Sequence, residues 1–438
     1  MLSKFVFAVA CAAALVTAVA AQDAPIAFSN ATIVPVEGDI IARGVLVVQR
    51  GKIASVASMD GFQPPAGATV VDCGGKWIMP GLVDTHNHIG GIGGADGSAT
   101  LQPDVRIHDS LNVFDPGFRR AVAGGLTTLN IMPGSGHLMS GQTIYVKLRK
   151  QPRTIEDVIY RDADGSPMGG LKMANGTNSI GAPPFSGTRG KSAAMVRELF
   201  IKAQEYREKK KAGESDPEKL PARDIGMEAL VEVLDGKRIV HHHTHRADDI
   251  ITVLRLSKEF GFRVVLHHVS EAWKVADEIA AAKAPCSVIM IDSPGGKLEA
   301  AELSFKTGAV LEKAGVLVAY HTDDWITDAR LFNRSAALGV RAGLSRATAY
   351  ASLTLNGAKM MDLDSRVGSL KAGKDADFAI WSGDPLSVYA KVEQTWVEGV
   401  KVFDRDDPAD RLFAVGGYGA GEPRKPYMCC CEHAGVGQ

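Results

Sequence analysis

Between residues 80 and 358 short apolar runs of strand character alternate with longer stretches of helical character, and this alternation constrains the fold more than any other feature. Eight candidate strands end near His88, Met132, Leu148, Met173, His243, His268, Ile291 and Asp323. Helical segments such as ADDIITVLRLSKEFG (247–261) and AAELSFKTGAVLEKAG (300–315) lie between several of them. Strand–helix alternation implies parallel strands with crossover helices. Eight such units predict an α/β chain built on a (β/α)8, TIM-like barrel over 80–358. The second and third strands depart from the pattern, because a short glycine-rich connection rather than a clear helix joins them. A charged stretch before the fifth strand, opening VRELFIKAQEYREKKK, reads as a helix with a solvated face.

The flanks differ in character. Residues 22–79 and 359–415 consist of short β-like runs punctuated by Gly and Asp, which predicts β-structure on either side of the barrel. Residues 1–21 carry one early lysine, Lys4, then an apolar run from Phe5 to about Ala20 that closes in small residues. That is the pattern of a cleaved secretory signal, and it predicts an exported protein, periplasmic or extracellular, with no membrane attachment after signal removal. Residues 416–438 read as a tail whose Cys429, Cys430 and Cys431, with His433, offer soft-metal ligands or incidental thiols. Cys73 and Cys286 sit in apolar surroundings and are expected as buried thiols. Lys+Arg 49 against Asp+Glu 50 leaves a formal net charge of -1, which gives no electrostatic reason to propose a nucleic-acid partner.

Active sites of such barrels form at the C-terminal ends of the strands. The first strand ends in His86 and His88, two residues apart and so on one face. Lys172 interrupts the apolar fourth strand. The fifth carries His241, His242, His243 and His245, the sixth His267 and His268, and the eighth His321, Asp323 and Asp324. Imidazoles and a carboxylate recurring at one end of separate strands point to a divalent metal, with zinc the default for such ligands.

These motifs resemble the amidohydrolase superfamily, in its imidazolonepropionase-like and dipeptidase-like branch of metal-dependent hydrolases. MPGLVDTHNH matches the first-strand motif and AVAGGLTTLNIMPGSG the strand after it; HTHRADD, HHVSEA and HTDD match strands five, six and eight. TLNGAKMMDLDSRVGSLKAGKDADFAIWSGDP matches the closing segment, so the likeness covers nearly all of the chain after the signal. The resemblance implies that the flanks join in one small composite β-sandwich. It implies that His86 and His88 hold one metal, that Asp323 ligates it and moves protons, and that His243 and His268 hold a second. Lys172, carbamylated, would bridge two ions, since a carbamate is an anion where an ammonium would be repelled. A one-metal enzyme with an ordinary Lys172 is the alternative. Strand register leaves His267 and Asp324 open as ligands in place of their neighbours.

His137 and Gln142, on the loop after the second strand, are candidate substrate contacts, as are His245 and Arg246; Arg246 is equally placed to pair with Asp248 or Asp249. The implied activity is hydrolysis of carbon–nitrogen bonds in a small molecule, an amide, cyclic amide or dipeptide, by a metal-activated water. Lactone hydrolysis or deamination on the same site is the competing enzymatic reading, and an exported metal- or ligand-binding protein without catalysis a third. A homo-oligomer is left open.

Overall fold

The computed structural model describes residues 24–291, 297–324 and 326–420. The expected signal segment (1–21) and the cysteines of the tail, Cys429 to Cys431, lie outside the described residues. Among those described, no helix is long and apolar enough to cross a membrane.

The chain opens with β1 (Ile26–Ile33), β2 (Ile41–Gln49), β3 (Lys52–Ser58), β4 (Thr69–Asp72) and β5 (Trp77–Pro80). The middle carries β6 (Leu82–Asn87), β7 (Leu126–Ile131), β8 (Met139–Gln142), β9 (Ile144–Lys147), β10 (Leu171–Ala174), β11 (Val240–Thr244), β12 (Val264–His268), β13 (Cys286–Ile289) and β14 (Val318–His321). The end adds β15 (Phe378–Trp381), β16 (Val392–Val397) and β17 (Val400–Asp404). Both flanks enter one eight-stranded sheet in the order β17-β16-β15-β5-β1-β2-β3, with β4 on β1. Its apolar residues bury Phe28 against Phe378 and Trp396, with ring centroids 5.0 Å apart in each case.

The run KWIMPGLVD reads as one strand in the sequence, but it is two. β5 pairs with β15 in the flank sheet, and β6 pairs with β7 in the middle. Gly81 makes the transfer between sheets, and a Cβ there would lie 2.2 Å from Thr127 Oγ1, so the close approach demands glycine.

In the middle, β10 to β14 pair in parallel and in order, as do β6 and β7. Asp323 N donates to His86 O at 2.9 Å, and Asn87 bridges Asp324, so the strand that starts the middle lies beside the strand that ends it. One expectation fails. The third candidate strand runs antiparallel, its first half (β8) against β10 and its second half (β9) against β7. The reason lies in the connection: the few residues between Ile131 and Met139 cannot hold the crossover that a parallel return needs. The end of that strand, near Leu148, therefore points away from the face where the histidine strands end.

Helices follow the apolar pattern. Ala247–Phe260 buries Ile250, Val253, Leu256 and Phe260 and stops at Gly261, whose φ of 74° suits a left-handed cap. The charged stretch forms Arg189–Ser215, which buries Val196, Phe200 and Ala203, while Phe200 stacks on Phe260 and Phe262 at 5.1 Å. The helix expected over 300–315 is shorter, Thr307–Lys313. Cys73 and Cys286 are buried free thiols.

Because β9 runs antiparallel, it delivers Lys147 to the junction with the flank sheet. The Lys147 ammonium is fully buried, 2.5 Å from Asp375 Oδ2, 3.0 Å from Asp377 Oδ2 and 3.2 Å from Glu398 Oε1. Arg149 and Arg366 complete the group on Glu398 and Asp375. Burial alone would raise the carboxyls of Asp375 and Glu398, but Lys147 and the arginines outweigh it and hold each at about 2. Removing one member of a buried ion group leaves charge uncompensated, so Lys147→Met should destabilise the fold by about 3–5 kcal/mol, read from urea unfolding. The depressed carboxyls bind fewer protons folded than unfolded. Their stabilisation is full above the ordinary carboxylate range and drains as pH falls towards 2. Wild-type unfolding free energy should therefore drop on acidification below about pH 4, and the drop should be shallower in Lys147→Met.

Candidate metal centre

The first group forms where β6 meets β14. His86 is buried and His88 partly so. His88 Nδ1 lies 2.8 Å from the Met132 carbonyl, a bond that fixes the ring proton on Nδ1 and leaves the Nε2 lone pair facing inward. His88 Nε2 is 3.1 Å from His86 Nε2 and 2.9 Å from Asp323 Oδ1, and His86 Nε2 is 3.4 Å from the same oxygen. Lys172 Nζ stands 3.0 Å from His86 Nε2 and 3.1 Å from Met132 Sδ. Donors bonded tetrahedrally to zinc at 2.0–2.1 Å sit about 3.3 Å from one another. Two imidazole nitrogens and a carboxylate oxygen thus hold the spacing a cation imposes.

The second group joins His243, His245 and His268, each able to turn one ligand atom to a common point. His243 Nδ1 and His268 Nε2 are buried without a hydrogen-bond partner among the described residues. The opposite nitrogens are engaged. His268 Nδ1 faces His321 Nε2 at 3.3 Å; His321 Nδ1 meets Ser287 Oγ at 2.8 Å; Ser287 Oγ meets Thr85 Oγ1 at 2.6 Å. His245 Nδ1 meets Ser270 Oγ at 2.8 Å. Rings pinned through one nitrogen, with the other turned towards neighbouring ligand atoms, suit metal ligands. His268 also groups with His86 and Asp323, so the two groups adjoin.

Electrostatics agree. Burial, then neighbouring cationic groups, hold His86, His243, His245 and His268 far below the ordinary imidazole range, so these rings are neutral near pH 7. Burial alone would raise Asp323, but the His88 contact and the nearby His321 and Lys172 outweigh it and keep the carboxylate ionised.

His267 lies in a deeper layer: His241 Nδ1 meets His267 Nε2 at 2.9 Å, and Tyr145 OH meets His241 Nε2 at 2.9 Å. It also groups with His86 and His321. Consecutive strand residues should face opposite ways, yet both His267 and His268 face the interior. His268 and Val269 have φ of 71° and 47°, and this left-handed step turns the second ring inward. Asp323, at φ 48°, makes the same step at the end of β14. Asp324 donates its N–H to Thr322 Oγ1 at 3.0 Å.

Asp84 escaped notice in the sequence, although it precedes His86 by two residues and shares its face. Its carboxylate accepts from His86 N, Thr322 N, Asn87 Nδ2 and Thr322 Oγ1 at 3.2, 3.1, 2.8 and 2.5 Å. Lys297 was missed too; it lies 3.4 Å from His243 Nε2, and no strand pattern marks it. Of the four candidate substrate contacts, His245 joins the second group. His137 is buried beside Phe185, with centroids 5.2 Å apart. Gln142 donates to Pro103 O at 2.9 Å, and its pairing opposite Leu171 puts it at the start of β10, far from that strand's functional end. Arg246 is half-buried and pairs with Asp248 at 2.9–3.0 Å.

Comparison with known proteins agrees with this arrangement. The amidohydrolase family pattern (Amidohydro_3) matches residues 218–403. The crystal structure of an amidohydrolase from Thermotoga maritima MSB8 is 35% identical, with a TM-score of 0.80 over 87% of this chain and 100% of that one. Amidohydrolase tasK of Hapsidospora irregularis is 30% identical over 393 residues, which are 82% of this chain but 40% of that longer protein. An imidazolonepropionase of Bradyrhizobium sp. is 23% identical over 383 residues, 78% of this chain and 88% of the other. A TIM-like α/β fold with buried histidines at its strand ends that could hold a metal defines the class, and this chain belongs to the amidohydrolase family, a hydrolase of carbon–nitrogen bonds. His88→Ala should lower the metal retained after dialysis, measured by plasma mass spectrometry, while circular dichroism stays that of the wild type.

Proposed function

We propose that the protein is an exported hydrolase of amide or cyclic amide bonds in small molecules, dipeptides included, working with two zinc ions. The observation that carries this reading is the convergence of His86 Nε2, His88 Nε2 and Asp323 Oδ1 within 3.4 Å. With the His88 ring proton held on Nδ1, its Nε2 and the Asp323 carboxylate are both acceptors, an arrangement that suits a shared cation. His243 and His268 would hold the second ion. Lys172, 3.0 Å from His86 Nε2, would once carbamylated supply anionic oxygens to the ions. The barrel is read as closed and the flank sheet as folded into a sandwich beside it. Export rests on the composition of residues 1–21.

A bound divalent cation lowers the pKa of water towards neutrality and polarises a carbonyl. The chain's own residues do the rest. Asp323, kept ionised by its neighbours, accepts a proton from the attacking water and passes it to the leaving nitrogen. Met132 O orients His88, and the Ser287–His321 pair orients His268, so that neither ring turns away. Burial of the imidazoles keeps them neutral.

Asp323→Asn should fold as the wild type does and lose about 10²–10⁴-fold in kcat on whichever amide a panel of dipeptides and cyclic amides identifies. Metal content measured alongside separates lost proton transfer from lost metal. Full activity in this variant would remove Asp323 from the mechanism.

A further inference from the structure

A cavity of about 830 Å³ opens at the end of the parallel strands opposite the histidines. Ile239, Val264 and Pro285 on its wall stand at or just before the starts of β11, β12 and β13. His243 lies four residues after Ile239, about 13 Å along the strand, so the cavity and the candidate metal centre occupy opposite faces. Two helices of unequal length leave the space. Ala247–Phe260 has 14 residues and Ala276–Ala281 only 6, about 21 Å of helix against about 9 Å. The shorter helix and the turn after it present Ala281, Ala282 and Ala284, which are too small to fill the gap.

The wall is apolar and the rim cationic. The longer helix buries Ile250, Val253 and Leu256 in the core. A neighbouring stripe at helical spacing, Ile251, Leu254, Arg255 and Lys258, lines the cavity instead. Ile239, Val265 and Met360 are its buried floor and pack with Ala319 in a small apolar cluster. Lys283, Lys359 and Arg263 join Arg255 and Lys258 on the rim, against one carboxylate, Glu278. Arg263 is engaged by Asp362 at 2.6 and 2.7 Å, and Arg255 donates to Thr252 Oγ1 at 3.0 Å. Among the described residues, the ammonium groups of Lys258, Lys283 and Lys359 make no hydrogen bond or ion pair. Lys283 also holds a φ of 53° just past its helix, where glycine is the usual choice. A cation near a helix C-terminus is ordinary, because it suits the dipole. Three lysines from three helices around one apolar cavity, with no carboxylate partner, exceed that requirement.

We propose that this cavity binds an amphipathic organic anion, a carboxylate or sulfonate head on an aliphatic body. The body lies along Ile251, Leu254 and Met360, and the head meets the lysines of the rim. Cavities of about 300–1,000 Å³ with an apolar lining and few polar groups suit small ligands. The ligand arrives as a free molecule and not as a lipid in a bilayer. The apolar wall is recessed, and among the described residues none of the exposed large apolar side chains lies on its rim. Bilayer binding needs such side chains to protrude. The site stands apart from the hydrolytic centre and does not depend on how that centre is read.

The test is calorimetric titration of zinc-loaded protein with octanesulfonate, octanoate and uncharged octan-1-ol. Each anion should bind at one site per chain with a Kd of about 100 µM, and the alcohol about tenfold more weakly. Lys258→Gln combined with Lys359→Gln should weaken the anions about tenfold and leave the alcohol within about twofold. Ala281→Trp, which fills the cavity, should abolish binding of all three while circular dichroism stays that of the wild type. His88→Ala should bind the sulfonate as the wild type does. Absence of saturable binding below about 1 mM, equal affinity for anion and alcohol, or undiminished anion binding in the double lysine variant overturns the site. Loss of binding in His88→Ala also overturns it, because the anion would then sit at the metal centre. Sedimentation with vesicles of equal parts phosphatidylcholine and phosphatidylglycerol, abolished by the lysine substitutions, would assign the rim to a membrane and overturn the free ligand.

Discussion

The buried carboxylate of Asp84 is the constraint on which the site depends. It accepts four hydrogen bonds, two from the backbone of β6 and β14 and two from the side chains of Asn87 and Thr322. Hydrogen bonds to a charged group contribute about 1.5–3 kcal/mol each, which offsets part of the cost of burying the carboxyl. Burial still dominates and pushes its pKa up to about 6. By gripping Thr322 and His86 together, Asp84 fixes the distance between the histidines of β6 and Asp323 just beyond β14. Those residues are separated by most of the chain, and only contacts of this kind set their spacing.

Around that clasp the interior trades stability for function. Imidazoles and carboxylates are buried along these strands where apolar side chains would otherwise pack, and His268 and Asp323 adopt left-handed backbone angles that disfavour side-chain-bearing residues. Neutral imidazoles with one nitrogen pinned are tolerable burials; unpartnered nitrogens on His243 and His268 are not, unless something binds them. The compensating stability lies at the opposite face, where Lys147 ties the middle of the chain to the flank sheet through Asp375, Asp377 and Glu398.

Much of this was legible in the text of the chain. The spacing of His86 and His88 implied a shared face, and the recurrence of histidines at strand ends pointed to the cluster the structure brings together. What could not be read has physical causes. Strand register could not choose between His267 and His268 because the left-handed step at His268 breaks the two-residue period. Gln142, read as part of the loop after the second strand, instead ends β8, which runs antiparallel to β10 and carries it away from the site. KWIMPGLVD is divided between two sheets at Gly81, where only a residue without a Cβ fits beside Thr127. Lys297 sits on no strand, so no periodicity aims it.

The account's central claim is that side chains distant in sequence converge to bind divalent cations at two adjoining points. Crystals grown with zinc and measured on both sides of the zinc absorption edge test it most directly. The account predicts two anomalous peaks, one bounded by His86, His88 and Asp323 and the other by His243 and His268. No peak at either point, or a peak confined to the deeper group of His86, His267 and His321, would contradict it.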